Sequence, residues 1–133
     1  MAAIFYFAPM KIAIIAHDGK KAEMVAFLLK YKDWLEKVEL VSTGTTGSHV
    51  EKAGLKVHRY LSGPLGGDAQ IAAEAAEKKL DMVIFFRDPM GKHPHEPDVQ
   101  MLMRICDVHD IPLATNPAAA GLMMNSLLKK IDS

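Results

Sequence analysis

The chain has 133 residues, of which 50% are apolar and 24% charged, the size and balance of one globular domain with its own hydrophobic core. Sixteen basic and sixteen acidic side chains cancel, which excludes an overall field that would recruit nucleic acid or an acidic membrane, so any anion must be held by a local site. The single cysteine, Cys106, excludes an internal disulfide and a multi-cysteine metal site, and suits a reducing, cytoplasmic compartment.

Residues 1–9 are apolar, but they have no basic n-region and are too short to span a bilayer. They read as an N-terminal extension to a domain over 10–133: an upstream start, a cloning remnant or an extra packing strand. Lys11 to Ala16 is a short, nearly continuous apolar run, the signature of a strand buried on both faces. It ends at His17-Asp18-Gly19-Lys20-Lys21, and Val25, Leu28, Leu29 and Lys32 then recur at helical spacing. Val38 to Ser42 is a second strand, running into Thr43-Gly44-Thr45-Thr46-Gly47. A short helix from about Ser48 to Ala53 follows, with Gly54 as its stop signal.

Val57 to Leu61 reads as a third strand. It feeds Ser62-Gly63-Pro64-Leu65-Gly66-Gly67-Asp68, which is turn chemistry that lets main-chain N–H groups approach a ligand. An alanine-rich helix follows from about Ala69 to Lys79. Asp81 to Phe86 is the clearest buried strand, and the prolines at 89, 94 and 97 with Gly91 make Arg87 to Pro97 a loop. A helix from about Asp98 to His109, a short strand from Ile111 to Ala114 and a helix from Ala118 to about Lys130 complete the chain. The alternation predicts an α/β, single-domain, doubly wound (Rossmann-like) five-stranded parallel sheet with helices on both faces.

In such sheets ligands bind beyond the carboxyl ends of the strands. There the first strand delivers His17 and Asp18, and the second the threonine-glycine run. The third delivers Ser62 to Asp68, and the fourth Asp88, then His95 and Asp98. The threonine-glycine run lacks the Gly-Lys-Ser/Thr of a P-loop and the Gly-x-Gly-x-x-Gly of a dinucleotide site, so it suits a single phosphate group or, more plainly, a capped helix. Lys21 can supply a positive charge to the same rim or be a solvated surface lysine; Ser62 and Gly63 can add a hydroxyl and an N–H. Asp68 is either an N-cap or a base beside an anion cradle. Acids gathered on one rim raise one another's pKa, and a histidine can donate to a developing enolate oxygen. No tight ligand motif supports a metal. His49, His58, His93 and His109 read as surface or loop residues, and Cys106 as an inert core thiol.

Together His17-Asp18, Thr43 to Gly47, Ser62 to Asp68, Phe85-Phe86-Arg87-Asp88-Pro89 and Pro94-His95-Glu96-Pro97-Asp98-Val99 resemble the methylglyoxal synthase family in order and spacing, over roughly Lys11 to Pro117. The resemblance implies a cofactor-free lyase that converts dihydroxyacetone phosphate to methylglyoxal and inorganic phosphate through an enediolate. It further implies a homohexamer inhibited by phosphate. Carried over by position, it makes Asp68 the acid/base, His95 the group that polarises the carbonyl and hydroxyl oxygens, and Asp98 a supporting carboxylate, with Asp18 and Asp88 as further supports. Lys21, Thr43, Gly44, Thr45, Thr46, Ser62 and Gly63 match the phosphate site, and His17 the substrate-contact histidine. Ala69 stands where glutamine commonly follows the aspartate, and the chain ends soon after its last helix. The rival expectation is a non-catalytic module of the same fold that senses a phosphorylated metabolite. It would need the cradle but not Asp68, His95 and Asp98 together.

Overall fold

The structure, a computed structural model, describes residues 10–91 and 96–132. The proposed extension over 1–9, and with it His93 and His95, lies outside the described residues. Five strands, β1 (Lys11–Ala16), β2 (Glu39–Ser42), β3 (His58–Arg59), β4 (Met82–Phe86) and β5 (Leu113–Ala114), form one sheet in the order β3-β2-β1-β4-β5. Every pairing is parallel. The expected doubly wound α/β sheet is therefore the observed one.

The two central strands show why a parallel sheet needs apolar runs and not alternation. Ile12, Ile14 and Ala16 of β1, with Met82, Ile84 and Phe86 of β4, enter one core cluster. That cluster is covered by α1 (Lys21–Leu29), α2 (Lys32–Leu35), α3 (Gly44–Lys52) and α6 (Pro117–Asp132), through residues such as Met24, Leu28, Trp34, Val50 and Met124. Ala13 and Ile15, with Val83 and Phe85, enter the opposite cluster under α4 (Gly67–Ala76) and α5 (Glu96–Val108), against Ile71, Ala72, Ala75, Val99 and Leu102. Both pleat faces are thus buried, as the contiguous hydrophobic sequence demands.

Several boundaries differ from the sequence expectation, each for a local reason. The first helix does not continue to Lys32. The N–H groups of Lys30 and Tyr31 donate three residues back, to Phe27 O and Leu28 O, and the chain restarts as α2, which buries Trp34 and Leu35. No glycine or proline announces that break. The helix expected from Ser48 begins at Gly44, with Thr43 in extended conformation as its N-cap residue. Glycine is needed twice there, because a Cβ on Gly44 would stand 2.9 Å from Tyr60 O and one on Gly47 would overlap Ser42 Oγ and Arg59 Cγ. β3 is only two residues long. After Tyr60 N–H donates to Ser42 O, Gly44 N–H passes over Tyr60 O and donates to Leu61 O, so the regular ladder ends. α5 begins at Glu96 because Pro97 falls in its first turn, where no intrahelical N–H is required. Gly54 stops α3 as expected, at φ +93°.

Candidate active site

The strand order reverses direction between β1 and β4: the chain leaves β1 toward β2 and β3, then returns to place β4 on the other side of β1. Ligands of doubly wound sheets bind at this switch point. His17 and Asp88 meet there. His17 follows β1 on the pleat face of Ala13 and Ile15, and its ring lies edge-on to Phe85, 5.1 Å between centroids. The main-chain N–H of Asp88 donates to His17 Nδ1 at 2.9 Å, and His17 N–H donates to Phe86 O at 3.2 Å. Nδ1 is therefore an acceptor, so neutral His17 carries its proton on Nε2. The residue is only 4% exposed.

One residue earlier, the peptide groups of Ala16 join the β1 exit to the first turn of α3 and to Lys21. Ala16 N–H donates to Thr46 Oγ1 at 3.1 Å, and Ala16 O accepts from Thr46 Oγ1 at 3.3 Å. Thr43 Oγ1 donates to the same Thr46 oxygen at 3.2 Å. Thr46's hydroxyl is thereby saturated, accepting twice and donating once. Lys21 is 7% exposed, and its Nζ donates to Ala16 O at 3.1 Å and pairs with Asp18 Oδ1 at 2.6 Å. Among the described residues these are its two acceptors, and an ammonium has three protons to donate.

The cradle has a sharper division of labour than its composition implies. Gly44 N–H is taken by Leu61 O at 2.9 Å, so Gly44 serves close packing and not donation. The Thr45 and Thr46 N–H groups, second and third in α3, bond to no acceptor among the described residues and lie at the positive end of the helix dipole. Thr45 is exposed and Thr43 buried. Ser62 is half-buried and its carbonyl accepts from Leu65 and Gly67, while Gly63 is buried.

The loop that follows β3 ends in a helix whose cap is not the aspartate. Gly66, at φ +112°, is the N-cap residue of α4, and Asp68 falls second in the helix. Gly67 must be glycine, since a Cβ there would overlap Leu61 O. Asp68 is fully buried and is the first member of the α4 stripe that continues through Ile71, Ala72 and Ala75. Ile71, Ala72 and Ala75 pack in the core cluster of Ala13 and Ile15, the pleat face on which His17 follows, and Asp68 stands in the first turn of α4, which follows the β3 exit.

A family model described as an MGS-like domain matches residues 23–115. Methylglyoxal synthase of Bacillus mycoides is 59% identical over 119 residues, which is 89% of this chain and 91% of that one. Methylglyoxal synthase of a Geobacillus species is 56% identical over 89% of this chain and 85% of its own. The chain belongs to the methylglyoxal synthase family. The crystal structure of methylglyoxal synthase from Elizabethkingia anophelis superposes with a TM-score of 0.81 at 43% identity, covering 86% of this chain and 76% of that one.

Of the family-matched residues, His17, Lys21, Thr43, Gly44, Thr45, Thr46, Ser62, Gly63 and Asp68 lie at the exits of β1, β2 and β3. Asp18 and Asp88 join them, Asp18 through Lys21 and Asp88 through its main-chain bond to His17; Asp88 Oδ1 itself accepts from Met90 N–H at 3.0 Å. Asp98 is half-buried in the first turn of α5. Arg87 and Glu96, 3.1 Å apart, tie the end of β4 to the start of that helix. His49 and His58 are exposed, in keeping with a surface reading, and His109 is half-buried. Cys106 is fully buried, and burial pushes its thiol up to about 11, which suits an inert core group.

Proposed function

We propose that the chain is a carbon–oxygen lyase that converts dihydroxyacetone phosphate to methylglyoxal and inorganic phosphate without a cofactor. Its close relatives bear the name methylglyoxal synthase. The observation that carries the reading is the burial of an imidazole, an ammonium and a carboxylate, His17, Lys21 and Asp68, at one end of the sheet beside helix-terminal N–H groups that have no acceptor among the described residues. A phosphoryl group fits the Thr45 and Thr46 N–H groups, the Ser62 and Thr45 hydroxyls, Gly63 N–H and Lys21. Those donors surround it without Gly44 N–H or the Thr46 hydroxyl, both already engaged.

Asp68 removes a proton from C3, and the electron pair of that C–H bond becomes the C2–C3 double bond of an enediolate. The carbonyl oxygen on C2 takes the negative charge, which His17 Nε2–H and, in this reading, His95 stabilise by donation. The C3 hydroxyl then gives its proton to the departing phosphate as C3 becomes a carbonyl. Electrons shift into a C1–C2 double bond, the C1–O bond breaks and hydrogen phosphate leaves. The enolate that remains regains a proton at C1, the one Asp68 removed or one from water, and its C2 oxygen becomes the ketone of methylglyoxal. An isomerase would hold the C–O–P bond in the enediolate plane, where elimination is disfavoured; the phosphate donors here orient that bond out of the plane and stabilise the leaving group together. Asp98, with Asp18 and Asp88, supports the charge balance of the site.

Phosphate, as product, competes for the same donors and inhibits. The working assembly is a homohexamer in a cytoplasmic setting. Exposed Leu65, Met90, Val108 and Leu122 offer apolar area for subunit contact, and among the described residues no helix is long and apolar enough to cross a membrane. The test is to incubate the purified protein with dihydroxyacetone phosphate and measure methylglyoxal and phosphate together. Equal release of both supports the lyase; saturable binding without product would replace it with a sensor of phosphorylated metabolites.

A further inference from the structure

Leu61 joins the two halves of the site through its own peptide groups. Its carbonyl accepts Gly44 N–H at 2.9 Å, fastening the β3 exit to the first turn of α3, where the phosphate donors are. Its N–H donates to Gln70 Oε1 at 2.9 Å, fastening the same residue to the first turn of α4, where Asp68 is. Gln70 N–H in turn donates to Gly66 O, closing that turn. The missing Cβ of Gly67 lets Leu61 O sit directly against α4, so the three segments are stacked main chain on main chain. Two side chains also enter this stack: Arg59 Nε donates to Gly44 O at 3.1 Å and ties β3 to α3, whereas the Gln70 amide, two residues beyond Asp68, ties Leu61 to α4. The bond also fixes the orientation of that amide, since a main-chain N–H requires the oxygen.

We propose that Gln70 is a positioning residue that sets the spacing between the phosphate cradle and Asp68. The inference rests on the reading of Asp68 as the base and adds a residue that touches neither substrate nor phosphate. Without an acceptor at position 70, the Leu61 N–H has only water, and the α4 terminus can move against the α3 terminus while each keeps its own donors. Binding of the phosphoryl end then survives while the reacting C–H bond is displaced from Asp68. A displacement on the order of 1 Å is enough to cost a large factor in rate. Because Gln70 is exposed, its replacement opens no cavity in the core.

The test compares Gln70→Leu, whose side chain stops one atom short of the amide oxygen and has no acceptor, with Gln70→Glu, whose carboxylate can still accept. For Gln70→Leu the expected result is a fall in kcat of about tenfold or more, with KM and inhibition by inorganic phosphate within about twofold of wild type. Gln70→Glu restores most of the rate. Hydrogen exchange of Leu61 N–H, which needs no turnover, should be fast in Gln70→Leu and slow in the wild type and Gln70→Glu. Wild-type kcat in Gln70→Leu, equal loss in both variants, parallel loss of phosphate binding, or an unchanged Leu61 exchange rate would each overturn the proposal. A wild-type protein that releases no product would instead refute the lyase reading, and the exchange measurement would still decide whether Gln70 holds the loop.

Discussion

The Asp88 N–H donates to Nδ1 of His17 at 2.9 Å, across the point where the sheet reverses its winding. A main-chain donor cannot change its protonation, so it holds the imidazole in one tautomer: a protonated Nδ1 would confront Asp88 donor to donor. The ring then carries its proton on Nε2, the form that can donate to an oxyanion.

That tautomer separates two amide replacements. The nitrogen of a glutamine at position 17 reaches toward the place of Nε2, whereas that of an asparagine reaches only toward Nδ1. His17→Gln should retain about tenfold more kcat than His17→Asn, with both below wild type, since a lost oxyanion donor costs about 10²- to 10³-fold. Steady-state kinetics on both variants checks the order. In the wild type, nitrogen NMR of the ring should show Nδ1 unprotonated.

The two neighbouring threonines should fail in different ways. Thr46→Val leaves the buried Ala16 N–H without its acceptor and should cost about 1–3 kcal/mol in urea unfolding. Thr46→Ser should restore most of that loss. Thr45 is exposed and ties nothing to β1, so Thr45→Ala should leave stability nearly unchanged while weakening substrate binding and phosphate inhibition in parallel.

Gly67→Ala should be far more damaging than an alanine in a helical first turn normally is. Its Cβ would overlap the Leu61 carbonyl, and main chain cannot rotate away as a side chain does. A loss of at least about 3 kcal/mol is expected, at the upper end of overpacking costs, read from the shift in denaturation midpoint.

Alkaline pH should weaken the fold through Cys106 and Tyr60. Burial raises the Cys106 thiol from 9.0 to about 11, and burial followed by the Glu74 carboxylate raises the Tyr60 phenol from 10.0 to about 12. Above pH 9 the unfolded chain releases the thiol proton while the folded chain retains it. The unfolded state then binds fewer protons, and stability falls as pH rises toward 11. Tyr60 extends the loss in the same direction. Unfolding curves between about pH 8 and pH 11 should slope downward, and Cys106→Ala should flatten the slope. At neutral pH the thiol should resist alkylation in the native protein and react once it is unfolded.

The parts legible in the sequence are those written in contiguous residues. Ile12 to Ala16 and Met82 to Phe86 had to be central parallel strands because neither leaves a polar face. The exits of those strands, and of β2, then had to carry His17, Asp88 and Thr43 to Gly47 to one rim. What stayed hidden depends on partners distant in sequence. Nothing near Thr46 reveals that its hydroxyl serves Ala16, thirty residues earlier. The acceptor that stops β3 at Arg59 is used by Gly44, so the length of the strand is decided by another element. Glycines normally end helices, yet Gly44 and Gly47 open one, because Tyr60 and Arg59 press too close for any other residue. Nothing in the sequence sets Gln70 apart from any exposed polar residue of a helix; its bond from Leu61 N–H does.

The most direct measurement is the turnover of Asp68→Asn, which keeps the shape of the side chain and removes its capacity to accept a proton. With far-ultraviolet circular dichroism and phosphate affinity matching wild type, methylglyoxal release from dihydroxyacetone phosphate should fall by at least about 10³-fold, and solvent deuterium should no longer enter C3 of the substrate. Retained turnover, or retained exchange at C3, in a folded, phosphate-binding Asp68→Asn protein would show that the base is another residue.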